Sequence, residues 1–494
     1  MPEPTQSTEP IKYTHLLRVE GVNHDQFIFD TTDLSTIRGG GLLMLDAATK
    51  VLGMAEHFVP DAVEVSSGAS SALIALNVGG ADANNIVDQI VANVRSMHAT
   101  NETFKHATFV VDSIETKGDF QLDREAVLAK NRRAQMKSPS LQFPSRKSAD
   151  VCATDRIRPA DPKTKTKDLP AVSDSVDCRR RYGRGRKQSF YVDEIAKVNS
   201  AIGAKLTAES ARTFARDFSQ IAEDSSRGNL NNKLAVFYAD GNSFGTHQRA
   251  KSADTLRGWD CKIKKLRRTL LAKIIDERLT HEKYSADDPI RFETLLWGGD
   301  EMLFVMPAWQ GLAFVESFFS STTGWTFGGE ALTHAVGLVF CHHNAPIHAV
   351  KGVAERLAIS AKDTTNRKGN SINYVVLESF DHTGTDWNDY LKRVYNGQLF
   401  AACRCLSAAD FASTLAALRT LKHGLPRSRV APYIQSLIAG NADPDKAEKR
   451  RDHDLDEATK SAASALCAPH TNCPLAGWSH CADLWDYLDE GAAQ

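Results

Sequence analysis

The chain has 494 residues, 42% hydrophobic and 24% charged, with a formal net charge of −1. That balance is ordinary for globular protein of two to four domains, and it excludes a global electrostatic pull toward nucleic acid or membrane, so any basic surface has to be local. No apolar run is long enough to span a bilayer, the N-terminus has no apolar signal core, and nine cysteines in such a chain read as reduced thiols; a cytoplasmic protein with no membrane partner is expected.

In chain order, residues 1–13 are polar and are expected to form a flexible tail. A strand-like run at 13–19 ends at Glu20-Gly21, and a second at 27–29 leads through Asp30 to Arg38-Gly39-Gly40-Gly41. Residues 42–51 have helical spacing, with Gly53 as the expected C-cap. A hairpin is expected from 62–65 and 72–78 around Ser66-Ser67-Gly68-Ala69, then a helix at 84–97 and a strand at 107–111. The order is β-α-β-β-α-β.

Residues 137–186 change character, being rich in Lys, Arg, Pro, Ser and Asp, which suits an inserted region. The run Arg179-Arg180-Arg181-Tyr182-Gly183-Arg184-Gly185-Arg186-Lys187 reads either as a solvated loop or as a contact for RNA or phosphate. Cys152 and Cys178 alone fall short of the four ligands of a zinc site.

A helix at 208–223 is expected to deliver the chain to 234–239, Leu-Ala-Val-Phe-Tyr-Ala, an unbroken apolar run that reads as a buried central strand. It ends in Asp240-Gly241-Asn242. A long helix at 252–279 has apolar residues at three- and four-residue steps, with Lys262, Lys265, Arg268 and Lys273 on a solvated face. Next comes Leu295-Leu-Trp-Gly-Gly-Asp-Glu-Met-Leu-Phe-Val-Met306, two apolar runs flanking a Gly-Gly pair: a hairpin whose turn uses glycine's access to positive φ. Helices at 309–320 and 349–362 and strands at 334–341 and 372–377 complete a second β-α-β-β-α-β unit. From 386 the pattern is helical, with candidates at 408–421, 430–439 and 455–466. Cys467, Cys473 and Cys481 with His470 and His480 lie at its end, where free thiols are expected rather than a metal site.

The fold class expected is therefore α+β: two ferredoxin-like layers, an inserted basic and helical region, and a C-terminal helical domain. In the second layer Asp240 closes the first strand and Asp300 opens the third, its neighbour. Carboxylates brought that close repel and invite a cation; carboxylates with the Gly241 carbonyl suit Mg²⁺ or Mn²⁺. Gly-Gly-acid-acid is equally at home in an ordinary surface hairpin. Glu301 follows Asp300 directly, and an ideal strand would turn it away from Asp300. Lys362, at the end of a helix pointing back to this edge, is a candidate for holding a phosphate oxygen.

Asp240-Gly241-Asn242 and Gly298-Gly299-Asp300-Glu301 resemble the two metal motifs of palm-domain nucleotidyl cyclases, shared by GGDEF-type diguanylate cyclases and the large polymerase-like subunit of type III CRISPR effector complexes. Phe340 to Ile347 with Ser360-Ala361-Lys362, Phe27 to Asp30 with Ile37 to Gly41, and Leu425 to Ser428 resemble segments of the second family, over roughly residues 14–440. The resemblance implies a first, degenerate palm domain at 14–135, a basic insert and helical linker at 136–228, a catalytic palm at 229–385, and a helical domain at 386–494. It implies a short form without the histidine-aspartate nuclease domain that the family often carries in front. Catalytic Asp240, Asp300 and Glu301 would bind metal together with Gly241, and Asn242, Ser243, Phe244, Gly298, Gly299, Lys362, Gly39 and Gly40 would bind nucleotide. Departures stand out: Ser66-Ser67-Gly68-Ala69 replaces the acidic hairpin in the first copy, Asn242 stands where an acid is common, and Glu301 where Asp is usual.

The expected activity is conversion of ATP into a cyclic oligonucleotide messenger with release of pyrophosphate, in antiviral defence. The expected partners are ATP, RNA through residues 179–187, CRISPR effector subunits or further copies of the chain. The alternatives are a non-catalytic palm scaffold binding guide RNA and partner proteins, and a diguanylate cyclase using GTP.

Overall fold

A computed structural model describes residues 10–137, 150–167, 170–208, 213–249, 252–280, 288–378, 386–397, 399–439, 448–449, 451–470 and 473–488. Most of the expected tail and part of the basic insert lie outside them. The chain divides into two compact units: Met1–Asp217 with Ser243–Asp288 and Thr294–Asp300, and Phe218–Asn242 with Pro289–Glu293 and Glu301–Gln494. The whole is a mixed α+β protein. No helix among the described residues is long and apolar enough to cross a membrane.

The first unit holds a four-stranded antiparallel sheet of β1 (His15–Gly21), β2 (Val63–Ser67), β3 (Ser71–Leu76) and β4 (Phe109–Glu115), in the order β2-β3-β1-β4. Leu16, Leu17 and Val19 are buried, so the central strand contributes to the core on both faces. The hairpin expected around Ser66 to Ala69 is present. The strand expected at 27–29 is not; residues His24–Ile28 form a short helix. Asn23, at φ 53°, turns the chain sharply out of β1, and the aromatic residues that suggested a strand pack inward instead.

The glycines at 39–41 also differ from expectation. They lie inside one helix, Leu34–Phe58, started by the Asp33 side chain accepting from Thr36 N, and that helix runs straight through Gly53. Gly39 is required there by a neighbour. A Cβ on it would fall 1.8 Å from Arg179 O, and one on Gly183 would fall 2.1 Å from Ser35 O. The two helices, Leu34–Phe58 and Asp174–Arg186, therefore meet backbone to backbone.

The basic run is thus mostly helix rather than loop, and most of its charges are taken up within the chain. Arg179 is fully buried and grips Asp30 with two nitrogens at 2.8 and 2.9 Å. Arg180 pairs with Asp33, Arg181 with Asp177, and Arg186 with Asp46. Bidentate pairing of a buried guanidinium repays part of its desolvation; the segment docks on its own domain. Cys152 and Cys178 have different surroundings: Cys152 Sγ lies 3.4 Å from Thr154 Oγ1, and Cys178 Sγ donates to Glu102 O.

In the second unit β7 (Glu301–Pro307), β5 (Lys233–Gly241), β10 (His334–His342), β11 (Ser371–Val376) and β12 (Leu406–Ser407) run side by side in that order. β5 pairs antiparallel with both neighbours, as β1 does in the first sheet between β3 and β4. The expected apolar run is the buried heart of β5. The helix Ile347–Thr364 covers β5 and β10. The helix expected at 208–223 is reduced to Phe218–Ala222, with residues 209–212 outside the described set. The C-terminal helices are Trp387–Val394, Ala408–Gly424, Arg427–Ala439, Glu457–Cys467 and Pro474–Leu484.

Candidate functional site

The chemistry gathers where β5 ends. Asp240 is the next-to-last residue of that strand, and the residue directly opposite it on β7 is Glu301. Directly opposed residues in an antiparallel pair project from the same face with Cβ atoms about 5 Å apart. Glu301 is thus the carboxylate that shares a face with Asp240. β7 opens at Glu301 rather than at Asp300, which sits in the turn before it.

Two hydroxyl or ammonium groups hold these carboxylates. Lys362 is only 6% exposed; its Nζ lies 2.5 Å from Asp240 Oδ2 and donates to Gly241 O at 3.0 Å. Its charge is one cause, after burial, that holds His334 down to about 3. The lysine proposed from sequence to reach a phosphate oxygen is therefore directed at the chain's own acid. Tyr238, two residues before Asp240 and so on the same face, donates its hydroxyl to Glu301 Oε1 at 2.9 Å. Burial, and then the Glu301 and Asp240 carboxylates, raise the Tyr238 phenol far above its usual value, so it remains a donor. Sequence reasoning passed over Tyr238, although strand alternation from Asp240 would have found it.

Asn242 anchors the loop after β5. Its N donates to Thr333 O at 2.8 Å, and its Nδ2 donates to Thr333 Oγ1 and Gly369 O at 3.0 and 2.9 Å. Its amide donors are thus engaged by backbone and a threonine of its own unit.

The other expected site residues lie in the first unit, each with a structural task. Ser243 takes the left-handed conformation at φ 61° and starts the short helix Phe244–Gln248, repeating Asn23 after β1. Phe244 is buried edge-on against Trp259, 5.2 Å between ring centres. Gly299 has φ 59° in open space, the glycine turn the sequence predicts. A Cβ on Gly298 would fall 2.3 Å from Ala69 N, so the acidic hairpin and its acid-free counterpart at 66–69 touch at backbone distance. Gly39 and Gly40 are held in the helix interior described above, Gly40 against Ile28. Asp300 lies close enough to Arg267 to favour that guanidinium's charge.

Among the described residues no group of three or more His, Cys, Asp or Glu side chains is arranged to hold a metal ion. What converges beside Lys362 is one carboxylate and one carbonyl, with a second carboxylate on the same sheet face. These are hard oxygen donors, the set that Mg²⁺ or Mn²⁺ takes, and an ammonium already stands among them.

No family model matches the sequence, and no curated protein matches it. Solved structures do. A Csm1–Csm4 cassette in complex with cA4 superposes with a TM-score of 0.50 at 14% identity, over 96% of this chain and 70% of that one. The same cassette in complex with pppApApA gives 0.50 at 14% identity, over 97% and 69%. The chain has the fold of Csm1. Csm1 is a type III CRISPR effector subunit, and at this identity the likeness is one of fold.

Proposed function

We propose that the chain is an Mg²⁺- or Mn²⁺-dependent nucleotidyltransferase that converts ATP into a cyclic oligonucleotide with release of pyrophosphate, as a Csm1-like member of CRISPR-type defence. The observation that carries this reading is the direct opposition of Asp240 and Glu301 on one sheet face, with a cation already drawn to Asp240 and the Gly241 carbonyl. Two layers whose first strand lies between the third and fourth agree with a degenerate palm at 14–135 and a catalytic one at 229–385. The Csm1 structures with the same fold were crystallised with cA4 and pppApApA, which supports adenosine nucleotides as the substrate class and effector subunits of the Csm4 kind as partners.

In this reading Asp240 and Glu301 would hold the metal with the Gly241 carbonyl, and the sequence motif asks the same of Asp300. The bound ion would lower the barrier to attack of a 3′-hydroxyl on an α-phosphate by neutralising charge. Tyr238 keeps Glu301 oriented, and Asn242 fixes the loop behind Asp240. Incubation of purified protein with the four nucleoside triphosphates and Mg²⁺ or Mn²⁺, with products identified by mass spectrometry against Asp240→Ala and Asp300→Ala, tests the reading. Turnover of GTP alone would mark a diguanylate cyclase instead.

A second reading has one observation in its favour. The Lys362 ammonium already neutralises Asp240, as it would in a palm domain kept only as a scaffold for partner proteins. Absence of any nucleotide product, with stable capture of an effector subunit, distinguishes it.

A further inference from the structure

Two of the nine cysteines are brought together in the second unit by residues that carry no part of the proposed reaction. Cys403 lies in the single turn Ala401–Arg404, and Cys473 is the N-cap of the helix Pro474–Leu484. Arg404 docks the turn on that helix: it is 1% exposed, pairs with Asp483, and lies 4.7 Å over the Tyr374 ring. Opening a contact made by a buried guanidinium and its carboxylate is costly, so the turn and the helix end keep their places.

One histidine holds both cysteines by their backbones. The His470 ring donates to the Cys403 carbonyl, and the His470 carbonyl accepts from Cys473 N at 2.8 Å. The ring is fixed in turn by His480 Nε2 at 3.1 Å, and His480 by the Tyr374 hydroxyl at 2.7 Å. With the backbones set in this way, the Cys473 thiol is in hydrogen-bond contact with the Cys403 thiol. A disulfide forms without backbone movement only where two side chains already face each other, and these do. Both residues are half-buried, within reach of a small reagent, whereas Cys481 is buried and Cys405 Sγ is directed at Ala361 O. Burial and then the Cys403 thiol raise Cys473, against the Ala476 N–H that favours its thiolate. Exchange therefore quickens as pH rises.

We propose that Cys403 and Cys473 are a redox modification site, a dithiol that a low-molecular-weight disulfide converts to an intramolecular bridge. The thiolate of one cysteine attacks a sulfur of the small disulfide and expels one small thiolate. The other cysteine then attacks the protein sulfur of the mixed disulfide and expels the second. Two protein thiols are oxidised, one small disulfide is reduced to two thiols, and the two protons pass to these through solvent. The site stands independently of the proposed metal-dependent reaction, because none of its groups touches Asp240 or Glu301.

The test is incubation of the reduced, folded full chain with glutathione disulfide at mildly alkaline pH, followed by thiol counting in denaturant and peptide mapping by mass spectrometry. Loss of two of the nine thiols is expected, with Cys403 and Cys473 in one cross-linked peptide pair that dithiothreitol releases. Cys403→Ser and Cys473→Ser should each abolish that pair. The oxidised protein should unfold at higher urea than the reduced one, because the bridge restricts the unfolded chain between residues 403 and 473. All nine thiols retained in the wild-type protein overturns the proposal, whether or not the variants fold. So does a bridge that maps to another pair, or glutathione left on either cysteine without a bridge. A urea midpoint that falls on oxidation overturns the claim that the two thiols are already placed for bonding.

Discussion

Lys362 Nζ lies 2.5 Å from Asp240 Oδ2, in a pair that is nearly closed to solvent on the lysine side. The same ammonium reaches the Gly241 carbonyl. A positive group thus occupies the point where a strand end, a carboxylate and a backbone oxygen converge.

Removing one member of such a pair leaves the other poorly compensated. Lys362→Met is expected to destabilise the protein by about 2 kcal/mol, below the full value for a completely buried pair because Asp240 keeps some solvent. Asp240→Asn combined with Lys362→Met should cost at least about 1 kcal/mol less than the two single changes added together. Urea unfolding of the four proteins measures this. Strict additivity would show that the pair is not coupled.

Two glycines of one helix separate packing from propensity. Gly39→Ala forces a methyl group against Arg179 O and is expected to cost about 3 kcal/mol or prevent folding. Gly53→Ala meets nothing within 4 Å and should stabilise by about 0.5–1 kcal/mol, the ordinary helix preference for alanine. Melting temperatures that shift in the same direction for both would contradict the close helix crossing.

Two buried histidines give the protein an acid-sensitive stability. His334 is held at about 3 by burial and by Lys362, and His480 is pushed well below 6.5 by burial, then by Arg404 and His470. Their folded values are depressed, so from about pH 6.5 downward the unfolded chain takes up protons that the folded chain refuses. Stability should then fall as pH drops below about 6.5, by about 1.4 kcal/mol per unit for His334 or about 2 kcal/mol by pH 5, and His480 acts in the same direction. Chemical unfolding at pH 7 and pH 5 tests the drop, and His334→Gln should reduce it. A stability unchanged between these values would contradict the buried neutral state.

Much of the second layer was legible in the sequence. The unbroken run before Asp240 identifies a central strand, and Gly298-Gly299 between apolar runs identifies a hairpin. Local signals failed where a distant neighbour decides the conformation. Phe27 to Phe29 have strand propensity, but Asn23 turns the chain into a helix. Gly39 to Gly41 resemble a loop, but the helix survives them because Gly183 of another helix needs their bare backbone. The arginines at 179–187 suggest RNA because their partners, Asp30, Asp33 and Asp46, lie more than a hundred residues away in sequence. Lys362 is visible at a helix end, yet nothing local shows that its charge is directed at Asp240. Glu301 is readable as a site acid beside Asp300, but which carboxylate it faces depends on strand register, which sets it opposite Asp240.

The most direct test of the central claim is the product formed from ATP by purified protein with Mg²⁺ or Mn²⁺, alone and with effector subunits and RNA. The account predicts cyclic oligoadenylate and pyrophosphate, abolished by a chelator and reduced at least a hundredfold in Asp240→Ala and Asp300→Ala, consistent with the loss of a charge-stabilising group. No product above the Asp300→Ala background under any of these conditions would contradict it.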